Sequence, residues 1–551
     1  MTQFDVIFVL PYPFADHPSF PEGILRRALE ADGFSVGVIE TPFWQKRESF
    51  AILGKPRLFF AIVPGPVDSV VLNYTSARKR RREDLYQAGG GAYFPGHPPS
   101  IQYKIRPDRA VIVFANRLRE LFREVPIVIG GIEASLRVFS HYDFQEEKIR
   151  RSILFDSRAD ILVHGMGEKQ IVAIARWLRS GNPVSALSLA GTARVESAAA
   201  ISASAVELPT HEEIIGDRAR LLEAQRRIER NGMSPQAEPI VQRHENRAVV
   251  QFAAERYAAS DLDRIYGLPF ARLPLEGKSL SPALRMNLFS VTSHRGCGGG
   301  CSFCSITMHE GKRVISRSPE SIVREIAALT RHPFWKGQVS DIGGPSAETY
   351  GSDCPAVDCG RDSCLFPDVC GARRAENAFL ELLRECRGVK GVEKIFLGSG
   401  IRFDLVLKNP ELLEEIMLHH AGRFLRIAPE HTEPAVLELM RKPSHEVLRE
   451  FLRLFRSINR RLKRKIGLVA YIIVGHPGET LTDVRDMVRK LKEAGLNELD
   501  VQIFTPTPGT LSTAWYWGET ADGKNRLPVE KSVRRLQERK RLLPGSRTTD
   551  R

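Results

Sequence analysis

Between residues 287 and 504 short apolar runs alternate with amphipathic stretches, and this alternation leaves the chain few folds to choose from. The runs fall at 287–292, 338–342, 394–397, 424–428, 466–474 and 499–504. Apolar residues at helical spacing mark 319–330, 375–386, 410–419, 445–464 and 482–493 between them. Ser318 and Pro319 supply an N-cap and a first-turn proline for the first of these helices. Strands that alternate with helices pair in parallel, because each crossover returns to the same sheet. Six such units predict a partial (β/α) barrel, in which the loops after the strand carboxyl ends carry function.

The loop after the first run reads His294-Arg295-Gly296-Cys297-Gly298-Gly299-Gly300-Cys301-Ser302-Phe303-Cys304 and holds three of the eight cysteines, spaced C-x3-C-x2-C. Thiolates at short spacings hold iron–sulfur clusters. Three of them serve three irons of a four-iron cube and leave the fourth iron open to a ligand. Gly298, Gly299 and Gly300 allow left-handed dihedrals and a close approach of backbone N–H groups to the inorganic core. A structural zinc loop is the competing reading, but zinc takes four ligands, usually in two pairs, and no fourth stands at a usual distance.

This loop resembles the signature of the radical S-adenosylmethionine (SAM) superfamily, which Phe303 also fits. The run 295–318, RGCGGGCSFCSITMHEGKRVISRS, is similar to the YgiQ family in particular, and the likeness covers nearly the whole chain. The resemblance implies a [4Fe-4S] cluster on Cys297, Cys301 and Cys304 whose open iron chelates the amino and carboxylate groups of SAM. Reductive cleavage of SAM would then give a 5′-deoxyadenosyl radical that abstracts hydrogen from substrate, with flavodoxin or ferredoxin as reductant. It further implies that Gly343 and Gly344 meet the SAM amino group, although Pro345 replaces the glutamate of the usual Gly-Gly-Glu. Ser399 would meet the ribose and Arg402 the carboxylate, which its fork of donors suits. Glu430 would meet the ribose or substrate, or act with His431 in proton transfer. Ile473 would pack on the adenine beside Gly475, in a turn (472–480) that resembles apolar-Gly-x-Pro-Gly-Glu-Thr. Blander roles stand beside these: a strand-end turn for Gly343-Gly344, an ion pair with Asp404 for Arg402, helix capping for Glu430.

A second group, Cys354, Cys359, Cys364 and Cys370, lies in the excursion 350–372 between the second and third barrel strands. DCPAVDCGRDSCLFPDVCG has too few apolar residues to hold itself together, so a metal could staple it. An auxiliary cluster and a zinc site are both open, since the spacings match no standard zinc signature. Cys386 falls in a helical pattern and reads as core.

Ahead of the barrel, 5–10 reads as a buried parallel strand, 22–32 as a helix closed by Gly33, and 35–39 as the next strand. Further strands are expected at 58–63, 126–130 and 160–164, which together predict a doubly wound sheet. Many radical SAM enzymes carry a cobalamin-binding domain of this shape in front of the barrel. Lower-axial ligation there uses D-x-H-x-x-G, whereas Asp16 and His17 are adjacent here, so the domain is expected to be cobalamin-like in shape without cobalamin. The Ala/Ser-rich stretch 181–209 reads as a linker or weakly packed excursion. Expected divisions are 1–185 for the Rossmann-like domain, 186–284 for a linker and helical connection, 285–515 for the barrel, and 516–551 for a basic tail whose residues from Ser532 fray.

The chain of 551 residues carries a net charge of +14 and no run of eighteen apolar residues. No span, no secretory start and clustered thiols lead to the expectation of a cytoplasmic protein that does not enter a membrane. The charge permits a nucleic-acid partner without demanding one. Arg449, Arg453, Arg456, Arg460 and Arg464 line one face of the expected helix 445–464, as a solvated surface or an RNA-facing stripe. Two functions therefore stand: a radical SAM enzyme of unknown substrate, or a non-catalytic iron–sulfur or zinc protein that binds RNA or a partner through basic faces.

Overall fold

The computed structural model describes residues 3–200, 204–233, 237–354, 359–371 and 377–544. The chain divides into two compact units, one drawn from Met1–Arg256 with Leu268–Leu288 and the other from Tyr257–Gly267 with Phe289–Thr549.

In the first unit a nine-stranded sheet runs in the order Val36–Glu40, Val6–Leu10, Phe59–Ile62, Ile127–Ile129, Ile161–Val163, Thr192–Ser197, Arg247–Gln251, Ile240–His244, Val206–Glu207. The first five are parallel. Val6–Leu10 is buried at every position, as a strand covered on both faces must be. Helices Pro21–Ala31, opened by a proline, and Glu168–Arg179 pack together on one face. This is the expected doubly wound α/β sheet, with its switch point between Val6–Leu10 and Phe59–Ile62.

The chain's own side chains bridge that switch point. Arg106, 1% exposed, lies with its guanidinium carbon 5.2 Å from the Tyr12 ring centroid. It also donates to the Pro64 carbonyl at 3.0 Å and to Asp84 at 3.2 Å. His17 is fully buried; its Nδ1 accepts from the Ser19 amide at 3.0 Å and its Nε2 lies 2.9 Å from Arg272 Nη1. It is a core histidine, enclosed by Ser19 and Arg272.

The linker expectation for 181–209 does not hold. Thr192–Ser197 is a strand that pairs antiparallel with both Ile161–Val163 and Arg247–Gln251. Alanine and serine conceal it because a strand needs only one buried face, and its partner Arg247–Gln251 supplies Val249 and Val250. Residues 201–203 lie outside the described residues.

The second unit holds the barrel. Ser290–Thr292 pairs parallel with Asp341–Gly343, and Gln338–Val339 just before it pairs parallel with Lys394–Ile395. A parallel bridge from Ile401 to Ile427 leads on to Phe424–Glu430, Gly467–Val474 and Glu498–Ile503, which are parallel throughout. Crossover helices bury one stripe each. His445–Arg461 buries Leu448, Phe451, Leu452, Phe455 and Ile458 and turns its arginines outward. Pro319–Leu329 is capped by Ser318, whose hydroxyl accepts from the Ser321 amide.

The tail from Ser532 is expected to fray, but in its described part Val533–Arg541 is a helix packed on the last two barrel strands, and residues 545–551 lie outside the described residues. Its mean polarity disguises this, because Leu536, Leu543 and the aliphatic stems of Arg539 and Lys540 do the burying. No described helix is long and apolar enough to cross a membrane.

Candidate functional site

The cysteine loop leaves the first barrel strand through a two-residue ladder, His294–Arg295 against Ile315–Ser316. At Gly296 the chain turns with φ +80°, and its amide donates to Glu310 at 3.0 Å. The Cys297 amide donates to the Gly311 carbonyl at 3.1 Å, and the Cys304 amide closes the loop on the Cys301 carbonyl at 3.1 Å. From the opposite side, the Ser302 amide donates to the Met440 carbonyl and the Ser512 amide to the Ser302 carbonyl.

The three thiols are free and partly buried. A Cβ placed on Gly299 would stand 3.3 Å from Cys297 Sγ, 3.8 Å from Cys301 Sγ and 3.2 Å from Arg402 Nη1. Two sulfurs and one guanidinium thus face the same bare stretch of backbone. Burial and the neighbouring Cys301 raise the Cys297 pKa. Burial pushes Cys304 up to about 12, with Cys301, Cys297 and Glu430 adding to it. Ligation therefore displaces protons from these thiols. Among the described residues no three His, Cys, Asp or Glu side chains converge as a single metal ion requires. A cube, whose ligands sit on separate irons, does not require that convergence.

The glycines divide their work differently from expectation. Of the three, Gly299 faces the sulfurs of Cys297 and Cys301. A Cβ on Gly298 would meet Cys364 Cβ at 3.0 Å and Sγ at 3.3 Å. At Gly300, φ is +59° and a Cβ would fall 2.6 Å from the Asp362 carbonyl oxygen. Two of the three glycines thus admit the excursion that carries the second cysteine group.

Gly343 ends the second strand with its carbonyl accepting from the Ser293 amide at 2.7 Å. Gly344 is obligatory because a Cβ there would lie 2.6 Å from His294. Ser399 donates to Asp341 at 2.8 Å. Arg402 makes a two-pronged pair with Asp404, at 3.1 and 2.8 Å, and both side chains are about nine-tenths buried. The ion pair weighed for Arg402 is therefore present, but inside the protein, and it occupies Nε and Nη2. Glu430 stands at the end of its strand in a left-handed conformation (φ +66°) beside a register shift, 3.8 Å from Lys442 Nζ. Burial raises its carboxyl pKa, against the pull of Lys442. A non-glycine residue in this conformation is uncommon and clusters at functional sites. Phe303 sits edge-on to His476, with ring centroids 6.3 Å apart. Ile473 lies on the less buried face of its strand, and Gly475 (φ +81°) donates its amide to Glu479 at 2.8 Å.

Three groups escaped the sequence reading. Glu348 is buried behind Arg402 and accepts from its amide at 3.2 Å; burial raises its pKa to about 7. Lys442 follows the fourth strand's helix and becomes a partner of Glu430 only in three dimensions. The third is a buried chain: His476 Nε2 lies 2.7 Å from the Ser512 hydroxyl, which lies 2.8 Å from that of Ser302, between Cys301 and Phe303. His476 Nδ1 donates to the Pro477 carbonyl at 2.8 Å, so Nε2 is the acceptor.

Burial holds His476 neutral, its pKa down to about 3. An unfolded histidine titrates near ~6.5, so this residue's contribution is whole above that pH and is lost as pH falls toward the folded value. For the cluster-free protein, the stability advantage over His476→Gln should shrink by about 1 kcal/mol between pH 7.5 and 5.5. Urea midpoints at the two pH values test this; an unchanged gap would refute a neutral buried imidazole.

Comparison with known proteins follows the two-unit division. Residues 1–287 match the model described as radical SAM N-terminal, and residues 291–491 match the radical SAM superfamily. A UPF0313 protein of Geobacter sulfurreducens is 45% identical over 529 residues, covering 93% of this chain and 85% of its own. One from Methanosarcina mazei is 39% identical over 561 residues, covering 94% and 87%. Among solved structures, the radical SAM methyltransferase TsrM of Kitasatospora setae, with cobalamin and a [4Fe-4S] cluster bound, aligns at TM-score 0.50 and 15% identity over 93% of this chain and 74% of its own. The cobalamin-dependent SAM radical enzyme OxsB aligns at TM-score 0.50 and 10% identity over 93% and 55%. At such identities these two speak for the fold alone. The curated relatives say more: the chain belongs to the UPF0313 family, the YgiQ family, within the radical SAM superfamily.

Proposed function

We propose that the barrel is a radical SAM enzyme whose cluster is held by Cys297, Cys301 and Cys304. The observation that carries this reading is the meeting of Cys297 Sγ, Cys301 Sγ and Arg402 Nη1 over the bare backbone of Gly299. Three soft thiolates with a cation beside them suit an anionic iron–sulfur core. When bound, the cluster supplies the electron that cleaves SAM to methionine and a 5′-deoxyadenosyl radical, which takes hydrogen from substrate.

The chain's own residues bind and orient. Asp404 occupies one edge of the Arg402 guanidinium and fixes its plane, leaving Nη1 for the SAM carboxylate. Gly343 and Gly344 offer backbone for the amino group, with one lone pair of the Gly343 carbonyl already taken. The Ser399 hydroxyl, donating to Asp341, is poised to accept from a ribose hydroxyl. Glu430, held by Lys442, is the group near Cys304 suited to the ribose or to proton transfer. Ile473 and Gly475 supply an apolar strand end for adenine. A small one-electron carrier such as flavodoxin or ferredoxin is the proposed reductant. The proposed reading includes no cobalamin in the N-terminal sheet, because His17 is buried against Ser19 and Arg272 and Arg106 lies over Tyr12 beside the switch point.

Anaerobic reconstitution with iron and sulfide, followed by SAM and a strong reductant, tests the reading. Release of 5′-deoxyadenosine that disappears in Cys301→Ala is the expected result. Cluster-loaded protein that leaves SAM intact would overturn it.

A further inference from the structure

The second cysteine group is not consumed by the proposed reaction, yet the structure presses it against the first. The described stretch 359–371 has no helix or strand and buries one large apolar side chain, Leu365. Polar contacts hold it in place. The Cys364 amide donates to the Gly298 carbonyl at 2.8 Å, and the Ser363 hydroxyl to the Gly299 carbonyl at 2.6 Å. The Leu365 and Phe366 amides both donate to Ser363 Oγ at 3.0 Å, and the Cys370 amide turns back to the Cys364 carbonyl at 2.8 Å. Arg441 ties the two loops together, reaching the Gly300 carbonyl at 3.2 Å and Asp362 at 3.3 Å.

We propose that Cys354, Cys359, Cys364 and Cys370 hold a second iron–sulfur cluster, seated against the backbone of the first cysteine loop at Gly298. Four observations lead there. All four thiols are free and only partly buried. The Cys370 amide bonds the Cys364 carbonyl at 2.8 Å, which folds the segment back on itself and brings the backbones of two of the four cysteines together. Gly298 and Gly300 are glycines because Cys364 and Asp362 approach where side chains would stand. A segment with one buried apolar residue also needs another source of order, which thiolate–metal bonds supply.

The arrangement selects the kind of metal centre. Structural zinc sites draw their thiolates from two closely spaced pairs, whereas these four stand at intervals of x4, x4 and x5. A polynuclear centre spreads its ligands over separate irons, which suits thiols set singly along one segment. The same reasoning serves Cys297, Cys301 and Cys304, so the two groups look alike in this respect. They differ in completeness: four thiolates close a cluster, whereas three leave an iron open.

The test removes the first group and keeps the second. After anaerobic reconstitution, the full chain carrying Cys297→Ala, Cys301→Ala and Cys304→Ala should retain about four iron and four sulfide, against about eight of each in the unaltered protein. A low-temperature paramagnetic signal after reduction should persist. Cys359→Ser with Cys364→Ser, in the otherwise native chain, should lose about half the iron. Because this readout needs no SAM, it stands or falls apart from the enzymatic reading. Background iron in the triple variant, with native circular dichroism, would overturn the proposal, and so would one tightly held zinc in place of iron. If the triple variant does not fold, a double variant that still retains all the iron of the unaltered protein would overturn it equally.

Discussion

Gly296→Ala should cost the barrel about 3–5 kcal/mol and leave it unable to hold iron at Cys297, Cys301 and Cys304. A methyl group there would stand 2.0 Å from the Arg313 carbonyl oxygen, with φ at +80°. Neither term can relax cheaply. The obstructing atom is backbone, in the return arm of the ladder that carries the loop. The left-handed conformation adds about 1–2 kcal/mol for any residue with a Cβ. Moving the Arg313 peptide aside pulls Ile315 and Ser316 from Arg295 and His294, and the Cys297 amide from Gly311. Gly311→Ala is the matched control: φ is +91°, but nothing lies within 4 Å of the added carbon, so only the conformational cost applies. That variant should keep its iron and release 5′-deoxyadenosine. Thermal unfolding with iron and sulfide assays on both variants decides it. Iron content in Gly296→Ala equal to that of the unaltered chain would show that the ladder does not position the thiols.

The barrel was legible because its signal is periodic and local. Apolar runs followed by helical spacing mark each strand–helix unit, and the strands appear where the runs are, shortened to Ser290–Thr292 and Lys394–Ile395 at the ends where pairing stops. The cysteine loop was legible for the same reason, since its spacing lies within one turn of chain. Features that depend on distant residues were not. Nothing near Gly298 announces that Cys364 will lie on it, so its small size was credited to the cluster alone. Glu348 follows an ordinary strand end and acquires its raised pKa from burial, with Asp404 adding to it. Thr192–Ser197 has the composition of a linker, and only its neighbours on either side make it a strand. Arg402 was half legible: the sequence offered both Asp404 and a SAM carboxylate as partners, and the geometry gives Asp404 one edge of the guanidinium while Nη1 is turned to Gly299.

The C-terminal helix was the largest misreading, and it carries the second large effect. Arg539 Nη1 donates to Glu479 at 2.8 Å and to the Glu479 carbonyl at 3.2 Å. Glu479 is fully buried in the turn after the fifth barrel strand, where its other contacts are the Gly475 amide and His431 at 3.4 Å. Beside it, Leu536 fills the space over Gly475 so closely that a Cβ there would fall 2.3 Å from it. Arg539→Ala therefore strands a carboxylate inside the protein, which costs about 3–5 kcal/mol. In a unit of this size that corresponds to roughly 6–20 °C in melting temperature. Arg539→Ala combined with Glu479→Gln should recover much of the loss, because the stranded charge is then gone, while Glu479→Gln alone leaves the guanidinium with Glu530 at 3.6 Å and costs less. The same turn continues into the strand that bears Ile473, so the single arginine variant should also raise the SAM concentration needed for half-maximal cleavage. Equal melting temperatures for the unaltered chain and Arg539→Ala would mean that the tail only rests on the barrel. A deficit restored by the double variant means that it locks the strand end against which the nucleoside is proposed to bind.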